Sequence, residues 1–466
     1  MTMRLAGRKA LVVGLGKSGA AAARLLLARG ADVAAADGNP AAAAPSGMPA
    51  FRVLPLEAAA FRDRDLVVVS PGVPLSKVRS FAGGAELIGE VELASRFIDE
   101  PVLGITGTNG KSTTTALTGH LLVTAGHSAF TGGNLGTPLC QRVLDGGRLD
   151  ATVCELSSYQ LEGIASFRCA AATVLNVTPD HLDRYPGLAE YAAAKARIFE
   201  NQRAGDLAAI NLADPRVALM ATNQGVRRAG FDPRGPGEPR GPGEPPGPGA
   251  SEARDLGSSE ERSVAPGAEA SVEAKRTLRV GSQRFTLTAA TLRGSHNAEN
   301  ALAALLLAGT LVTDAEALQR GLDTYPGLPH RLEPVRTLGG VEYVNDSKAT
   351  NVDSVEKSLS AFEQGVILIL GGRGKGAPYA PLRPLVQSKV KLILTIGEDA
   401  ERILDELGDV APTVDCGTLD GAVDLAHRKA SSGDTVLLSP ACASYDQFRN
   451  FEDRGEQFKR LVRELA

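Results

Sequence analysis

A glycine-rich stretch at residues 104–113 contains the residue types that point most directly to chemistry. It follows a short apolar run, residues 101–103, and leads into a helical pattern that continues to Thr124. In a strand–turn–helix of this kind, backbone N–H groups and the positive end of the helix dipole bind an anion. Lys111 would supply a charge for the outer phosphates, and Ser112 a hydroxyl for Mg²⁺. The stretch therefore predicts an ATP site with Mg²⁺.

The glycine spacing of this loop differs from the strict phosphate-loop pattern. That pattern has a glycine five residues before Gly110, where this chain has Ile105. The glycines recur instead at every third position, 104, 107 and 110. A flexible turn that presents a solvated lysine is the alternative, but three glycines followed by Lys-Ser-Thr favour ATP binding.

A second glycine-rich loop, residues 14–19, follows the first strand pattern of the chain. It reads Gly-Leu-Gly-Lys-Ser-Gly, and a second strand pattern ends at Asp37, an acid about 20 residues further on, as in the dinucleotide-binding fingerprint. Alone, this pattern favours a nicotinamide dehydrogenase, or glycines that serve only close helix–strand packing. A buried strand pattern at 66–69 delivers Ser70 and Gly72 at its carboxyl end, where open α/β sheets bind ligands.

Two further strand patterns in the middle of the chain end in residues that could bind metal. Glu155 follows residues 151–154, and an acid there can hold Mg²⁺ opposite the phosphate loop. His181 lies in the loop after residues 171–177, and it is either a second metal ligand or a loop residue bonded to backbone.

The last third of the chain repeats the alternation of strands and helices. Strand patterns occur at residues 341–344, 366–370, 391–396 and 435–438, and polar or glycine-rich loops follow them. These loops place Lys348, Lys375 and Ser444 at one carboxyl edge of a sheet. Solvated lysines are the alternative for either loop alone, but two lysine-bearing loops at one edge predict an anion site.

The patterns together predict an α/β protein of three domains. Residues 1–98 form a Rossmann-like domain for a nucleotide or its diphosphate, 99–327 a central P-loop-type mononucleotide-binding domain, and 328–466 a Rossmann-like doubly wound domain. A Pro/Gly-rich segment at about 232–274 has too few apolar residues to fold and is predicted to be a disordered insertion. A hairpin is expected directly after it, at residues 277–287.

Composition excludes several classes of protein. The 466 residues carry a net charge of −4 and only 4% aromatic residues, which argues against nucleic acid and anionic membranes as partners. The start of the chain has no signal-peptide pattern, and no run of about 18 apolar residues occurs. The five cysteines form no Cys-x-x-Cys pair, so buried free thiols are expected. We predict a cytoplasmic monomer whose partners are small molecules.

A nucleotide domain, an ATP–Mg²⁺ domain and a cationic edge suited to a small acid suggest one type of reaction. Such a chain would activate a bound carboxylate with ATP and join it to a second substrate. An oxidoreductase that uses residues 1–98 with NAD, and a regulatory or motor ATPase, are the alternatives from other classes.

Six motifs together resemble the Mur ligase family. They lie at residues 107–112, 155–161, 176–185, 330–331, 345–351 and 439–444. The last two resemble the branch of the family that adds D-glutamate, while other Mur-type or folylpolyglutamate-type ligases are the closest alternatives. The likeness spans all three domains and omits only the Pro/Gly-rich insertion.

The resemblance implies roles for matching positions. ATP would be bound by Gly107, Thr108, Asn109, Gly110, Lys111, Ser112, Thr113, Asn297, Asn300, Arg331 and Asp346. Mg²⁺ would be held by Ser112, Glu155, His181 and Lys195, the last as a carbamate. The UDP-linked substrate would contact Gly16, Lys17, Ser18, Asp37, Ser70, Gly72 and Asn134, and D-glutamate would contact Lys348, Thr350, Lys375, Ser444 and Phe451. The residues expected to act in catalysis are Lys111, His181, Lys195 and Lys348.

The implied reaction belongs to the synthesis of peptidoglycan precursors. ATP would phosphorylate the alanine carboxylate of UDP-N-acetylmuramoyl-L-alanine, and the amine of D-glutamate would attack the acyl phosphate to form an amide. One departure from the family pattern follows Asp37, where Gly38-Asn39 replaces the Thr-Arg of relatives. This change bears on how tightly the uridine end is bound and not on the reaction.

Overall fold

The computed structural model describes residues 4–39, 42–44, 47, 51–178, 184–234, 268–274 and 276–466. The chain forms two compact units. The first comprises Met1–Thr286 and Glu299–Leu322, and the second comprises Leu287–Ala298 and Asp323–Ala466. Residues 287–298, which we expected in the central domain, thus cluster with the second unit.

A five-stranded parallel sheet in the order β3-β2-β1-β4-β5 forms the start of the first unit. Its strands are β1 (Lys9–Val13), β2 (Asp32–Asp37), β3 (Arg52–Pro55), β4 (Leu66–Val69) and β5 (Glu86–Gly89). The helices are α1 (Lys17–Ala28), α2 (Leu75–Arg79) and α3 (Glu90–Ser95). The first two strand patterns of the chain and the one at 66–69 are confirmed as β1, β2 and β4. The central strands β1 and β4 are almost wholly apolar because both faces of a parallel sheet are covered.

A nine-stranded sheet in the order β14-β13-β12-β11-β10-β9-β6-β8-β7 forms the rest of the first unit. Seven strands run parallel, and β13 and β14 form an antiparallel hairpin with β12. The strands are β6 (Val102–Thr106), β7 (Ala129–Gly133), β8 (Ala151–Glu155), β9 (Ala171–Val174), β10 (Leu207–Asn211), β11 (Arg227–Asp232), β12 (Ala268–Ala274), β13 (Thr277–Val280) and β14 (Gln283–Thr286).

The helices associated with this sheet are α4 (Lys111–Thr124), α5 (Leu139–Asp145), α6 (Ser158–Glu162), α7 (Leu188–Ala196), α8 (Pro215–Ala218), α9 (Ser295–Ala308) and α10 (Ala315–Thr324). Helix α9 begins in the second unit and ends in the first. The expected alternation of strands and helices and the hairpin after the insertion are confirmed.

The far end of the predicted insertion was placed wrongly. We expected disorder to about residue 274, but residues 268–274 form strand β12, which pairs with β11 and β13. Ala270 and Val272 are buried there, so the sheet supplies the apolar contacts that this Ala/Glu-rich segment lacks by itself. Residues 235–267 lie outside the described part of the chain.

A six-stranded sheet in the order β15-β16-β20-β17-β18-β19 forms the second unit, with β15 antiparallel and the other strands parallel. Its strands are β15 (Glu333–Leu338), β16 (Val341–Asn345), β17 (Val366–Gly371), β18 (Val390–Ile396), β19 (Thr413–Gly417) and β20 (Thr435–Leu438). The helices are α11 (Val352–Ser360), α12 (Arg383–Lys389), α13 (Ala400–Leu407), α14 (Leu419–Lys429) and α15 (Phe451–Glu464). The predicted doubly wound fold is confirmed.

Helix α3 joins the two sheets of the first unit through buried carboxylates. The Glu92 carboxylate accepts hydrogen bonds from the backbone N–H groups of residues 165, 166 and 167 at 2.8–2.9 Å. Glu90 accepts one from the backbone N–H of Cys140 at 2.6 Å. Gly89 and Gly163 pack backbone to backbone, with Gly89 N–H donating to the Gly163 carbonyl at 2.8 Å.

Membrane spans and cysteines were two expectations from composition. Among the described residues, no helix is long and apolar enough to cross a membrane. The five cysteines are free thiols, and four of them are buried, whereas Cys416 is half-buried.

Candidate functional site

The phosphate loop lies between β6 and α4, at the carboxyl edge of the nine-stranded sheet. Gly110 is the N-cap of α4 and has a left-handed backbone, with φ of 84°. A Cβ atom there would lie 2.3 Å from the Asn300 amide oxygen, so the loop and α9 require glycine at this position. That oxygen also accepts a hydrogen bond from the Thr114 hydroxyl at 3.1 Å. Asn300 therefore braces the loop from α9.

Asn176 holds the other side of the phosphate loop. Its amide oxygen accepts the Asn109 N–H at 2.8 Å, and its carbonyl accepts the Thr108 N–H at 2.9 Å. Its amide nitrogen donates to Glu299 at 2.8 Å. The sequence placed Asn176 in a family motif but gave it no role, because only the fold brings the end of β9 beside the loop.

Two lysine ammonium groups donate to one carbonyl oxygen of the loop. Lys111 Nζ lies 3.0 Å from the Gly107 carbonyl and 2.9 Å from that of Thr108. Lys195 Nζ lies 2.7 Å from the Gly107 carbonyl, and its side chain is almost fully buried against the Tyr191 ring. The structure thus brings Lys111 and Lys195 together at the Gly107 carbonyl.

Glu155 provides an oxygen that is suited to a metal ion. The residue ends β8 and is paired in register with Ile105 of β6, next to the phosphate loop. One carboxylate oxygen accepts the Asn134 amide N–H at 2.6 Å, while the other is buried and has no hydrogen-bond partner among the described residues. A buried carboxylate oxygen without a donor matches the hard oxygen ligands of Mg²⁺.

Ser112, His181 and Lys195 are the other predicted metal ligands. Ser112 is buried in the first turn of α4. His181 lies outside the described residues. Within the described part of the chain, no group of three or more His, Cys, Asp or Glu side chains forms a metal cluster. A site here would depend on Ser112, Glu155 and a modified Lys195, because carbamylation turns a cation into an acidic ligand.

The glycine loop after β1 is held by two side chains from neighbouring strands. Asp37 accepts the Leu15 N–H at 2.7 Å and the Asn39 N–H at 2.8 Å. The Ser70 hydroxyl donates to the Gly14 carbonyl at 2.7 Å. Gly16 precedes α1 as its N-cap, and Lys17, in contrast to Lys111, is exposed. Ser18 follows Lys17 in the first turn of α1.

The carboxyl edge of the six-stranded sheet requires glycine where its loops approach each other. A Cβ at Gly371 would lie 2.0 Å from the Ile396 carbonyl, and one at Gly372 would lie 2.4 Å from that of Ala443. Arg373 and Ala443 exchange two backbone hydrogen bonds at 2.9 and 3.0 Å. The loop bearing Lys375 is thereby bound to the loop bearing Ser444.

Four predicted D-glutamate residues make direct contacts in pairs on this edge. Lys375 Nζ lies 3.4 Å from the Thr350 hydroxyl oxygen, and Lys348 Nζ lies 5.3 Å from the centre of the Phe451 ring. Ser444 is buried in the loop after β20. Two ammonium groups and a hydroxyl on one edge can bind carboxylates.

Arg454 on α15 is a residue that sequence reasoning missed. Its guanidinium is fully buried and donates to the Ser347 hydroxyl at 3.0 Å and to the carbonyls of Ser347 and Cys442 at 2.9 and 3.2 Å. Burial lowers its pKa to about 10. It ties together the loops after β16 and β20. An arginine within an amphipathic helix pattern carries no signal of this role.

Residues 330–332 have a strained backbone beside β16. His330 and Leu332 have φ values of 63° and 40°. Residues other than glycine rarely adopt such positive values, and those that do are often found at functional sites. The Asp346 carboxylate accepts the Leu332 N–H at 3.2 Å and the Ser358 and Ser439 hydroxyls at 2.6 and 2.8 Å. Burial raises the Asp346 pKa to about 6. These contacts show Asp346 ordering the loop that presents Arg331.

Arg331 and Asn297, two second-unit residues that are predicted to bind ATP, differ in their hydrogen bonds. Nε of Arg331 is buried and has no hydrogen-bond partner among the described residues. Asn297 is buried on α9 and donates to the Arg293 carbonyl at 2.8 Å. Arg331 therefore has a donor available for an anion.

Three family models match the chain in order. They describe a Mur ligase MurD-like N-terminal domain at residues 8–88, a Mur ligase middle domain at 105–308 and a Mur ligase glutamate ligase domain at 330–442.

Full-length relatives carry one shared name. The UDP-N-acetylmuramoylalanine–D-glutamate ligase of Myxococcus xanthus is 50% identical over 100% of both chains. The ligase of the same name from Anaeromyxobacter dehalogenans is 52% identical over 99% of both.

Solved structures share the fold at low identity. A pseudomurein peptide ligase type C from Methanothermus fervidus is 20% identical with a TM-score of 0.60, covering 99% of this chain and all of that one. The UDP-N-acetylmuramate–alanine ligase of Thermotoga maritima is 18% identical with a TM-score of 0.57, covering 98% and 99%.

Proposed function

The chain belongs to the Mur ligase family, and we propose that it joins D-glutamate to UDP-N-acetylmuramoyl-L-alanine at the expense of ATP. The observation that carries this proposal is the end-to-end likeness to D-glutamate ligases at 50% and 52% identity. The protein is then an ADP-forming amide ligase of peptidoglycan precursor synthesis. We also propose that it works as a cytoplasmic monomer on small molecules, without nucleic acid or membrane partners.

The first step is transfer of the γ-phosphoryl group of ATP to the alanine carboxylate. The backbone N–H groups of residues 107–113 cradle the phosphates at the N-terminus of α4. The Lys111 ammonium, which donates to two loop carbonyls here, has to turn from them to neutralise charge on the β- and γ-phosphates. Arg331, whose Nε–H has no hydrogen-bond partner within the described ranges, would donate to the γ-phosphate. Asn297 and Asn300 belong to the adenine end.

Mg²⁺ fits the oxygen donors beside this loop. Ser112, Glu155, His181 and Lys195 as its carbamate would hold it. When bound, Mg²⁺ neutralises phosphate charge and polarises the transferring group. The Gly107 carbonyl accepts the Lys195 ammonium in the unmodified chain, and on carbamylation that nitrogen would lose its positive charge but keep one N–H as a donor.

The UDP-linked substrate binds at the carboxyl edge of the five-stranded sheet. The loop of Gly16, Lys17 and Ser18 offers an exposed ammonium and backbone N–H groups to the diphosphate. Asp37 keeps that loop in shape through its bond to the Leu15 N–H. Ser70, Gly72 and Asn134 face the sugar and the alanine. Asn134 is itself oriented by its bond to Glu155.

The second step is attack of the D-glutamate amine on the acyl phosphate. Lys348, Thr350, Lys375, Ser444 and Phe451 bind the amino acid, with the ammonium groups on its carboxylates. The amine forms the new C–N bond, and the tetrahedral intermediate loses phosphate to leave the amide. The residues act mainly by positioning and by electrostatic stabilisation.

A phosphate-release assay with purified protein and Mg²⁺ tests this function. ATP turnover should stay low with ATP alone and rise only when UDP-N-acetylmuramoyl-L-alanine and D-glutamate are both present. L-Glutamate, L-alanine and meso-diaminopimelate, offered in turn, should not replace D-glutamate. Turnover independent of the substrates would contradict a ligase and favour a regulatory ATPase. A nicotinamide fluorescence titration serves as the control for the oxidoreductase alternative and should show no change.

A further inference from the structure

Arg184 of the nine-stranded domain reaches the five-stranded domain at the turn formed by residues 70–72. Its Nη1 donates to the Pro71 carbonyl at 3.0 Å. That carbonyl lies between Ser70 and Gly72, two residues proposed to face the UDP-linked substrate. The Ser70 hydroxyl also donates to the Gly14 carbonyl. The bond from Arg184 therefore helps to position both the turn at 70–72 and the glycine loop at 14–19.

The Arg184 guanidinium is held rigidly on its own side of the junction. Nη2 donates to the Glu162 carboxylate at 2.7 Å, and the guanidinium carbon lies 3.9 Å from the centre of the Tyr159 ring. The side chain is 12% exposed. A guanidinium that is both stacked and paired has little freedom left to rotate. It can therefore fix the position of the Pro71 carbonyl.

The same group of side chains continues to the phosphate loop. The Tyr185 hydroxyl donates to the second Glu162 oxygen at 2.6 Å, and its ring centre lies 5.3 Å from that of Tyr191. The Tyr191 hydroxyl lies 3.4 Å from the Thr108 hydroxyl oxygen, at the edge of hydrogen-bond range. Packed side chains thus run without a gap from the Pro71 carbonyl to the ATP-binding loop.

We propose that Arg184 is a positioning residue that sets the alanine carboxylate at the correct distance from the γ-phosphate of ATP. The proposal rests on the ligase function proposed above. Reacting atoms must approach to about 3–3.5 Å, and a displacement of about 1 Å can lower the rate 100-fold. The hydrogen bond from Arg184 to the Pro71 carbonyl would keep the loop that binds the UDP-linked substrate at a fixed distance from the loop that binds ATP.

Kinetics of Arg184→Met, with Arg184→Lys beside it, test the proposal. In the Met variant, kcat should fall and KM for the UDP-linked substrate should rise, each about tenfold, as expected for loss of a hydrogen bond from a charged donor. KM for D-glutamate should stay unchanged. Arg184→Lys can still donate to Pro71 and should recover part of the loss.

Arg168→Met is the matched control, because Arg168 also pairs with a carboxylate, that of Asp206, but entirely within the nine-stranded domain. It should retain the wild-type kcat and KM. Equal kinetics for the Arg184 and Arg168 variants would overturn the proposal. So would a fall in thermal stability alone, with no recovery in Arg184→Lys.

Hydrogen exchange provides a readout that does not depend on the reaction. The Val73 N–H donates to the Ser70 carbonyl at 2.9 Å, and its exchange should be about tenfold faster in Arg184→Met if Arg184 holds this turn. Unchanged exchange would overturn the proposal. If the wild-type protein shows no turnover that depends on D-glutamate, the ligase function fails, whereas this exchange result still reports on Arg184.

Discussion

The two glycine loops of the first unit share a scaffold but differ in how their lysines are placed. Each loop joins a buried parallel strand to the N-terminus of a helix. Lys17 lies exposed at the first position of α1, whereas Lys111 folds back onto the carbonyls of its own loop. A glycine turn that leads into a helix N-terminus is thus common to both loops, while a lysine folded onto the loop carbonyls belongs to the second loop.

The supports of the two loops differ as well. The first loop is shaped by Asp37, an acceptor that binds the Leu15 N–H. The second loop is shaped by Asn176, which both donates and accepts, and by Asn300. The two loops therefore differ in the chemistry of their supports, because Asp37 is a carboxylate whereas Asn176 and Asn300 are amides.

Exchange of each loop lysine for methionine should give the largest contrast. Lys111→Met should lower ligase turnover roughly 1000-fold, because a preorganised charge on the transferring phosphate is lost. Lys17→Met should change turnover less than about tenfold, because an exposed charge is screened. Measured kcat values with saturating substrates decide this, and comparable losses in both variants would remove the distinction.

Helix α3 connects the domains that carry the two loops, and its two buried carboxyls have shifted pKa values. Burial raises the pKa of Glu90 to about 7 from 4.5. At Glu92 burial opposes ionisation, but hydrogen bonds from Ser166, Ala165, Arg96 and Phe167 together lower the pKa. The pKa values of two carboxyls on one short helix therefore shift in opposite directions. Glu90 accepts from Cys140, and its other carboxylate oxygen has no hydrogen-bond partner among the described residues.

Glu90→Gln should remove a pH-dependent loss of stability. Below pH 4.5 the carboxyl is protonated in both states, and as pH rises toward 7 only the unfolded state ionises, so wild-type stability falls in that window. The variant should gain about 3 kcal/mol relative to wild type between pH 4.5 and 8, measured by urea unfolding. A constant difference between the two proteins would contradict a protonated Glu90.

Glycine to alanine exchange separates packing from ligand binding in the two loops. A Cβ at Gly19 would lie 1.8 Å from the Gly14 carbonyl, and one at Gly110 would meet Asn300. Both variants should lose about 2 kcal/mol of stability through overpacking, as measured by urea unfolding. Only Gly110→Ala should also raise KM for ATP. An effect of Gly19→Ala on KM for ATP would show that the loops are not independent.

Replacement of Asp37, the carboxylate that supports the first loop, should have the smallest effect on the kinetics. Asp37→Asn keeps the shape of the side chain but weakens the acceptor for the Leu15 N–H. KM for the UDP-linked substrate should rise about tenfold, with kcat and KM for ATP unchanged. Steady-state kinetics with each substrate varied in turn measure this, and a change confined to kcat would place Asp37 in the chemistry instead.

Much of the fold could be predicted because its signals are local. Apolar runs such as residues 66–69 and 366–370 identify buried parallel strands, and the glycines after β1 and β6 mark the turns into helices. Strand β12 was missed because its Ala/Glu-rich sequence becomes a strand only through its neighbours β11 and β13. Tertiary context overrides propensity there.

The sequence by itself determined the fold class, the order of the domains and the residue types of the candidate site, since these depend on periodicity and short motifs. Only the tertiary structure decided which side chains support that site. Asn176 on the phosphate loop, Arg454 beneath the cationic edge and Arg184 at Pro71 each act on residues distant in the chain. Their roles depend on contacts that packing creates, and such contacts leave no local pattern to read.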